Sequence, residues 1–148
     1  MFVTTDLKKL YEIDDHQWLL ETIELLKQKQ FNQLDLDNLI EELEYLARKD
    51  KREVKSFLEQ ITTHLLLLQY WTEESERNSA HWQEEIFNFR TQLEDTLTRN
   101  LKNHLAEEML SIYQRALKRV KIKTKNKVDF PQECPYTLEQ LLDQDYLP

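Results

Sequence analysis

Along the middle of this chain, apolar residues recur at alternating spacings of four and three. Starting at Leu36, the positions are Leu36, Ile40, Leu43, Ala47, Asp50, Val54, Phe57, Ile61, His64, Leu68 and Trp71, and nine of the eleven are apolar. Positions three and four apart share one side of an α-helix, so an unbroken 4-3 repeat is the seam of a long amphipathic helix. The pattern predicts a central helix over residues 36–71, introduced by Asp35 as N-cap. At about 1.5 Å per residue that helix spans roughly 54 Å, against about 38 Å for a compact domain of 148 residues. It must therefore bend, break or run past the globule. The expected bend is RKDKRE, residues 48–53, where Asp50 interrupts the seam. The alternative is a continuous helix whose surplus length is open to a partner.

The rest of the chain reads as shorter helices. Residues 4–29 predict a short helix capped by Thr4 or Thr5, then a longer one started by Asp14 or Asp15. The longer helix shows an apolar face of Trp18, Leu19, Ile23, Leu25 and Leu26. Beyond the central helix, TEESERN (residues 72–78) reads as a polar connector, and Ser79 as the N-cap of a helix carrying Trp82, Ile86, Phe89, Leu93 and Leu97. Asn100 is positioned to cap a further helix with Leu101, Leu105, Met109, Ile112, Ala116 and Val120 along one face. In the tail, Thr137 and Gln140 make a capping box that opens a short terminal helix at Leu138. Phe130, Tyr136, Leu141 and Tyr146 make the tail too apolar to stay free, so it should dock on the bundle. The expected fold is a single all-α domain over residues 1–148, a helical bundle of four to five main helices around the central one.

Composition narrows the chemistry. The chain has no glycine, which removes phosphate-binding loops, dinucleotide fingerprints and the nucleophile elbow, and argues against a sheet-rich fold. Cys134 is the single cysteine, so there is no internal disulfide and no cysteine-rich zinc site. The longest apolar run, residues 65–68, is far short of a membrane span, and the beginning of the chain has no signal-peptide core. A cytoplasmic location and no membrane association are the expectation. The net charge of -8 argues against nucleic acid as the main partner. One local exception is KRVKIKTKNK, residues 118–127, with basic side chains at Lys118, Arg119, Lys121, Lys123, Lys125 and Lys127. Its plainer reading is a helix C-terminus, where positive charge complements the dipole.

Several stretches together resemble one family. They are YEIDDHQWLLETIELLKQ, LDLDNLIEELEYLARKDKREV, HLLLLQYW, SAHWQEEI and FPQECPYTLEQLLDQDYLP. In that order they cover nearly the whole chain, and the terminal CPYTLEQLLD block is the most specific of them. The chain resembles the family catalogued as domain of unknown function 29, small all-helical proteins found mainly in cyanobacteria. The resemblance implies a helical fold and a cytoplasmic compartment. It implies no activity.

Candidate chemistry centres on His64, a polar residue at a seam position, whose ring nitrogens need partners if buried. Asp14, Asp15, Glu41, Glu42 and His81 are the groups the sequence offers. Converging His and acidic side chains build metal sites in helical bundles, so His64, Glu42 and His81 are the metal-ligand candidates for a divalent ion. Against them, no histidine follows a glutamate at the Glu-x-x-His spacing, and His-Glu-x-x-His is absent. A hydrogen-bonded core histidine is the simpler expectation, with no cofactor. Glu41 and Glu44 are placed to pair with Arg48 along their own helix, and Cys134 has no nearby base that would make it a nucleophile. Tyr70, Trp71 and Trp82 cluster in sequence as core aromatics or as a partner patch.

The functional expectation is a non-enzymatic interaction or regulatory module that binds another protein or a second copy of itself. The alternatives are a metal-dependent enzyme with a bundle-core site at His64, and nucleic-acid binding through residues 118–127.

Overall fold

A computed structural model of the chain describes residues 7–148. The fold is all-α, with no strand among the described residues. Its helices are α1 (Leu7–Ile13), α2 (Asp15–Lys27), α3 (Leu36–Tyr70), α4 (Thr72–Thr96), α5 (Arg99–Glu107), α6 (Met109–Lys123) and α7 (Leu138–Leu142), with a short 3-10 turn at Phe31–Gln33. Five of these, α2 to α6, are the main helices, and α3 is the long central one. The cap expected from Thr4 or Thr5 lies outside the described residues.

The central helix is continuous through residues 48–53, so the expected interruption at Asp50 is not a break in the helix. The run contains neither Gly nor Pro, and its Lys, Arg and Glu residues are good helix formers whose charge stays in solvent. The chain nevertheless divides there into two compact units, residues 1–48 and residues 49–148.

In the first unit, α2 starts where its sequence directs. Asp14 caps it, accepting from the Gln17 amide at 3.0 Å. Its end shows what a chain without glycine must do. Lys29 takes a left-handed φ of 58°, and the Gln30 amide donates back to the Leu25 carbonyl at 2.9 Å. That is a Schellman cap with lysine where glycine is usual, at a cost of about 1 kcal/mol. The core of this unit is small and polar-tipped. Trp18 is buried, and its indole Nε1 donates to Asp35 Oδ2 at 3.2 Å, an oxygen that also accepts from Asn38 Nδ2 at 2.6 Å. Asp35 thus stands just before α3 as expected, but its carboxylate is occupied by two side chains. Tyr11 packs edge-on to Trp18 with ring centroids 4.9 Å apart.

The second unit buries the seam. Val54, Leu58, Ile61 and Leu65 are fully buried in one cluster with Trp82, Ile86 and Leu93 of α4, Leu105 of α5, and Ile112, Ala116 and Val120 of α6. Each such side chain contributes about 1.5–3 kcal/mol relative to exposure, which makes this cluster the main source of stability. The buried line runs 54, 58, 61, 65, so it is rotated slightly from the 4-3 reading, and His64 lies on its margin, half-buried.

Three junctions differ from the sequence reading. TEESERN is not a connector: α4 starts at Thr72, with only Trp71 between it and the end of α3. Glu73 and Glu74 match the dipole in its first turn, and the Ser75 hydroxyl donates to the Leu68 carbonyl at 3.3 Å. Ser79 is inside α4, where its hydroxyl accepts from Gln83 Nε2 at 2.9 Å. The next cap is Thr98, which accepts from the Leu101 amide, and Asn100 is already helical. The last long helix is interrupted at Glu108, between α5 and α6, where the carboxylate takes Lys55 Nζ of α3 at 2.8 Å. Hydrogen bonding to Lys55 holds the Glu108 carboxyl below the usual carboxylate range.

The tail docks as its composition requires. Tyr136, Leu138 and Leu141 are buried in the second unit's core, and the capping box of Thr137 with Gln140 is complete. Tyr136 Oη donates to Gln69 Oε1 of α3 at 2.8 Å.

Candidate functional site

The residues singled out from the sequence fall into three places. His64 is on α3, where its Nδ1 lies 2.7 Å from the Gln60 carbonyl oxygen. A carbonyl only accepts, so Nδ1 carries the proton and Nε2 is left with its lone pair. Burial lowers the His64 pKa, opposed by the Gln60 hydrogen bond and Glu85, and aided by Lys123 and His81. The ring packs beside Phe89 of α4 with centroids 5.9 Å apart. The sequence asked for a polar group facing this imidazole, from Asp14, Asp15, Glu41, Glu42 or His81; Nδ1 is met by a backbone carbonyl of its own helix.

His64 lines a cleft of about 410 Å3 with Gln60, Thr63 and Leu67 of α3 and Arg119, Ile122 and Lys123 of α6. Arg119 is not free there. Its Nε donates to Glu59, a carboxylate on α3 whose side chain is 8% exposed, and Arg115 Nη1 lies 4.0 Å from the other oxygen. Arg119 was noted only as part of the basic run 118–127, and Glu59 did not stand out in the sequence, because a glutamate among helical charges looks solvated. Only the approach of α6 to α3 makes it a buried carboxylate.

Of the other two metal-ligand candidates, Glu42 belongs to the first unit, where its Oε1 accepts from Tyr11 Oη at 2.5 Å. That hydrogen bond pushes the Tyr11 pKa up to about 12. His81 is exposed on α4 and reaches His64 only through its charge. Among the described residues, no group of three or more His, Cys, Asp and Glu side chains is arranged to hold a metal ion.

The aromatic trio is split by burial. Trp71 and Trp82 stack with centroids 6.0 Å apart and planes at 22°, but Trp82 is only 3% exposed and belongs to the core. Tyr70 meets Phe130 of the tail edge-on at 6.0 Å. Tyr70 and Trp71 border a cleft of about 660 Å3 whose far wall is the end of α6 and the turn after it. Lys123, Lys125 and Lys127 line it together with Glu73, Glu74 and Asp129, so its charge is mixed. Within the basic run, Lys121 and Lys123 occupy the last turn of α6, and Lys125 and Asn126 supply the left-handed cap at φ 55° and 59°. Cys134 is half-buried with Sγ 3.4 Å from the Tyr136 carbonyl, and burial pushes its thiol pKa up. A protonated thiol so placed is a poor nucleophile.

The sequence left open whether the central helix bends near Asp50 or is continuous with surplus length exposed; it is continuous, and its start, in the first unit, is exposed. Leu36, Ile40 and Leu43, the first three positions of the seam, are 53%, 52% and 56% exposed. Leu46 on α3 and Leu19, Leu20, Ile23 and Leu26 on α2 are exposed as well. One 4-3 row thus runs from exposed Leu36, Ile40 and Leu43 to fully buried Val54 and Ile61, with Phe57, His64 and Leu68 half-buried.

The sequence profile described as Domain of unknown function DUF29 matches residues 10–147. The chain belongs to that family, as its motifs suggested. No curated protein and no solved structure matches it significantly. No helix among the described residues is long and apolar enough to cross a membrane.

Proposed function

We propose that this protein is a cytoplasmic interaction module without chemistry of its own, working through the open apolar row of α3. The observation that carries the reading is the split fate of one seam: Val54 and Ile61 are fully buried while Leu36, Ile40 and Leu43 are more than half exposed. Keeping large aliphatic side chains in water forgoes about 25 cal/mol per Å2 of burial, so a row of them is best explained by a contact it makes. Cross-linking from position 40 in cells tests this. The expected result is one defined product, lost when Leu43→Glu is introduced while helical content is unchanged. No product, or one indifferent to Leu43→Glu, sinks the reading.

The neutral imidazole of His64 supports a second reading, metal-dependent chemistry in the cleft it lines. Arg119 and Lys123 on the same walls act against a bound cation. Metal analysis of tag-free protein beside His64→Ala decides it: stoichiometric metal that disappears in the variant supports this reading, and metal-free wild type overturns it.

A further inference from the structure

Three clefts of the second unit follow one another along the last turns of α6, sharing a lining residue at each step. The first, of about 330 Å3, is lined by Leu117, Lys118, Lys121 and Ile122 among others. It shares Ile122 with the His64 cleft, which in turn shares Lys123 with the larger cleft bordered by Tyr70 and Trp71. Together they form one track, from Lys118 past Lys123 to Lys127, with aromatic rings at its far end. Residues 109–128 hold seven of the chain's 20 bases and none of its 28 acids, so the excess negative charge lies elsewhere in the chain. Lys118, Lys121, Lys123, Lys125 and Lys127 are exposed, and none makes an ion pair among the described residues. The helix dipole accounts for Lys121 and Lys123 in the last turn, but not for the other three.

We infer that this track binds a short stretch of single-stranded nucleic acid, with phosphates on the lysines and a base stacked at Trp71. The surface is separate from the open row of α3 and does not depend on the reading given to it. Three observations choose this ligand among polyanions. First, the two clefts nearer Lys118 have no acid on their walls, which suits a phosphate backbone. Second, the cleft at the far end sets Glu73, Glu74 and Asp129 beside Tyr70 and Trp71. Those carboxylates repel an acidic peptide, which carries its charge along its whole length. A nucleotide is different, because its base is neutral and its amino groups donate to carboxylates, as cytosine N4 does. Third, Trp71 is partly exposed and already stacked on Trp82 of the core, so it is held as a platform for a further ring. In a duplex the bases are stacked on one another and cannot reach it. A lipid surface fits less well, because Ile112, Ala116 and Val120, the apolar face of α6, are spent in the core and leave no stripe to insert.

The test is fluorescence anisotropy of a labelled single-stranded RNA of about 12 nucleotides, with tryptophan fluorescence followed in the same titration. The full chain is expected to bind with a Kd of about 1–100 µM at 0.15 M salt, and log Kd to change with log salt by roughly 2 to 3.5, for some three to five neutralised phosphates. Trp18 and Trp82 are buried, so quenching that saturates with the anisotropy reports a base at Trp71. Lys121→Glu with Lys125→Glu changes exposed, unpaired side chains and leaves the fold intact. It should weaken binding at least tenfold and lower the salt slope by about 1.4. Lys49→Glu with Lys51→Glu makes the same change of net charge on α3 and should alter binding less than threefold. No binding by wild type at 0.05 M salt overturns the inference, and so does equal loss in the two variants. Poly-glutamate or anionic vesicles bound as tightly as the RNA overturn the choice of ligand. Duplex RNA bound equally well, or binding without tryptophan quenching, overturns the single-stranded mode.

Discussion

Arg90 Nε donates to the Leu141 carbonyl at 2.9 Å, and the rest of the guanidinium is spent the same way. Nη2 donates to the Gln140 carbonyl at 3.0 Å and Nη1 to the Tyr146 carbonyl at 2.8 Å. The arginine is 3% exposed, so a cation from the middle of α4 fastens the C-terminal segment through backbone carbonyls alone. Two of them, on Gln140 and Leu141, belong to the short α7, whose C-terminal dipole favours a cation there; the Gln140 carbonyl also accepts from the Asp143 amide at 3.3 Å. Burial lowers the Arg90 pKa and nearby Asp143 opposes the shift.

Arg90→Met is therefore expected to be costly. It keeps the volume but removes three hydrogen bonds, leaving the Leu141 and Tyr146 carbonyls without their donor while Gln140 keeps the Asp143 amide, a loss of about 3 kcal/mol, or roughly 6–12 °C in Tm for a chain of this size. Arg90→Lys should restore little, because one ammonium cannot reproduce a planar fork. Thermal unfolding with limited trypsin digestion checks this, and early cleavage after Lys125 or Lys127 would report release of the tail. Unchanged Tm and an uncut tail would show that the apolar contacts of Tyr136 and Leu141 suffice.

The ion pair between Glu59 and Arg119 calls for a smaller figure. The carboxylate is buried, but Arg119 has a side chain 55% exposed and Arg115 stands nearby at 70%. Water screens the arginine side, so Arg119→Met should cost about 1–2 kcal/mol rather than the 3–5 of a fully buried pair. Glu59→Leu combined with Arg119→Met should cost less than the sum of the two single changes. Chemical denaturation of all four proteins in a double-mutant cycle measures that coupling, and strict additivity would mean the pair contributes nothing.

His64 predicts a pH dependence of defined sign. Its folded pKa is lowered by burial below the unfolded value of about 6.5, so the unfolded chain binds the proton more readily. Stability from this group is fully present above that pH and falls as the medium is acidified through it, until the folded form protonates too. His64→Phe removes the proton site and keeps a ring beside Phe89, so the variant should lose less stability than wild type between about pH 7.5 and 5.5. Parallel curves for the two proteins would remove His64 as the cause.

The sequence by itself determined the helical class, the central helix to within a residue, the capping box at Thr137 and the apolar tail that must dock. Each depends on neighbours within about one turn, where spacing, dipole and local hydrogen bonds act. Helix starts were legible at α2 and α7 and misplaced at α4 and α5. Thr137 caps α7 as read, and of Asp14 and Asp15 it is Asp14 that caps α2, whereas Ser79 and Asn100 were passed over because α4 and α5 begin further upstream, at Thr72 and Arg99. What the tertiary structure decided was which face meets what. The 4-3 pattern of α3 reads alike at Ile40 and Ile61, yet one is 52% exposed and the other fully buried. Periodicity records that a face is apolar, but burial depends on whether another element arrives there, and α4, α5 and α6 cover the seam only from Val54. For the same reason, Glu59 and Arg90 look solvated in sequence. They become buried only when residues 60 and about 50 positions away close over them.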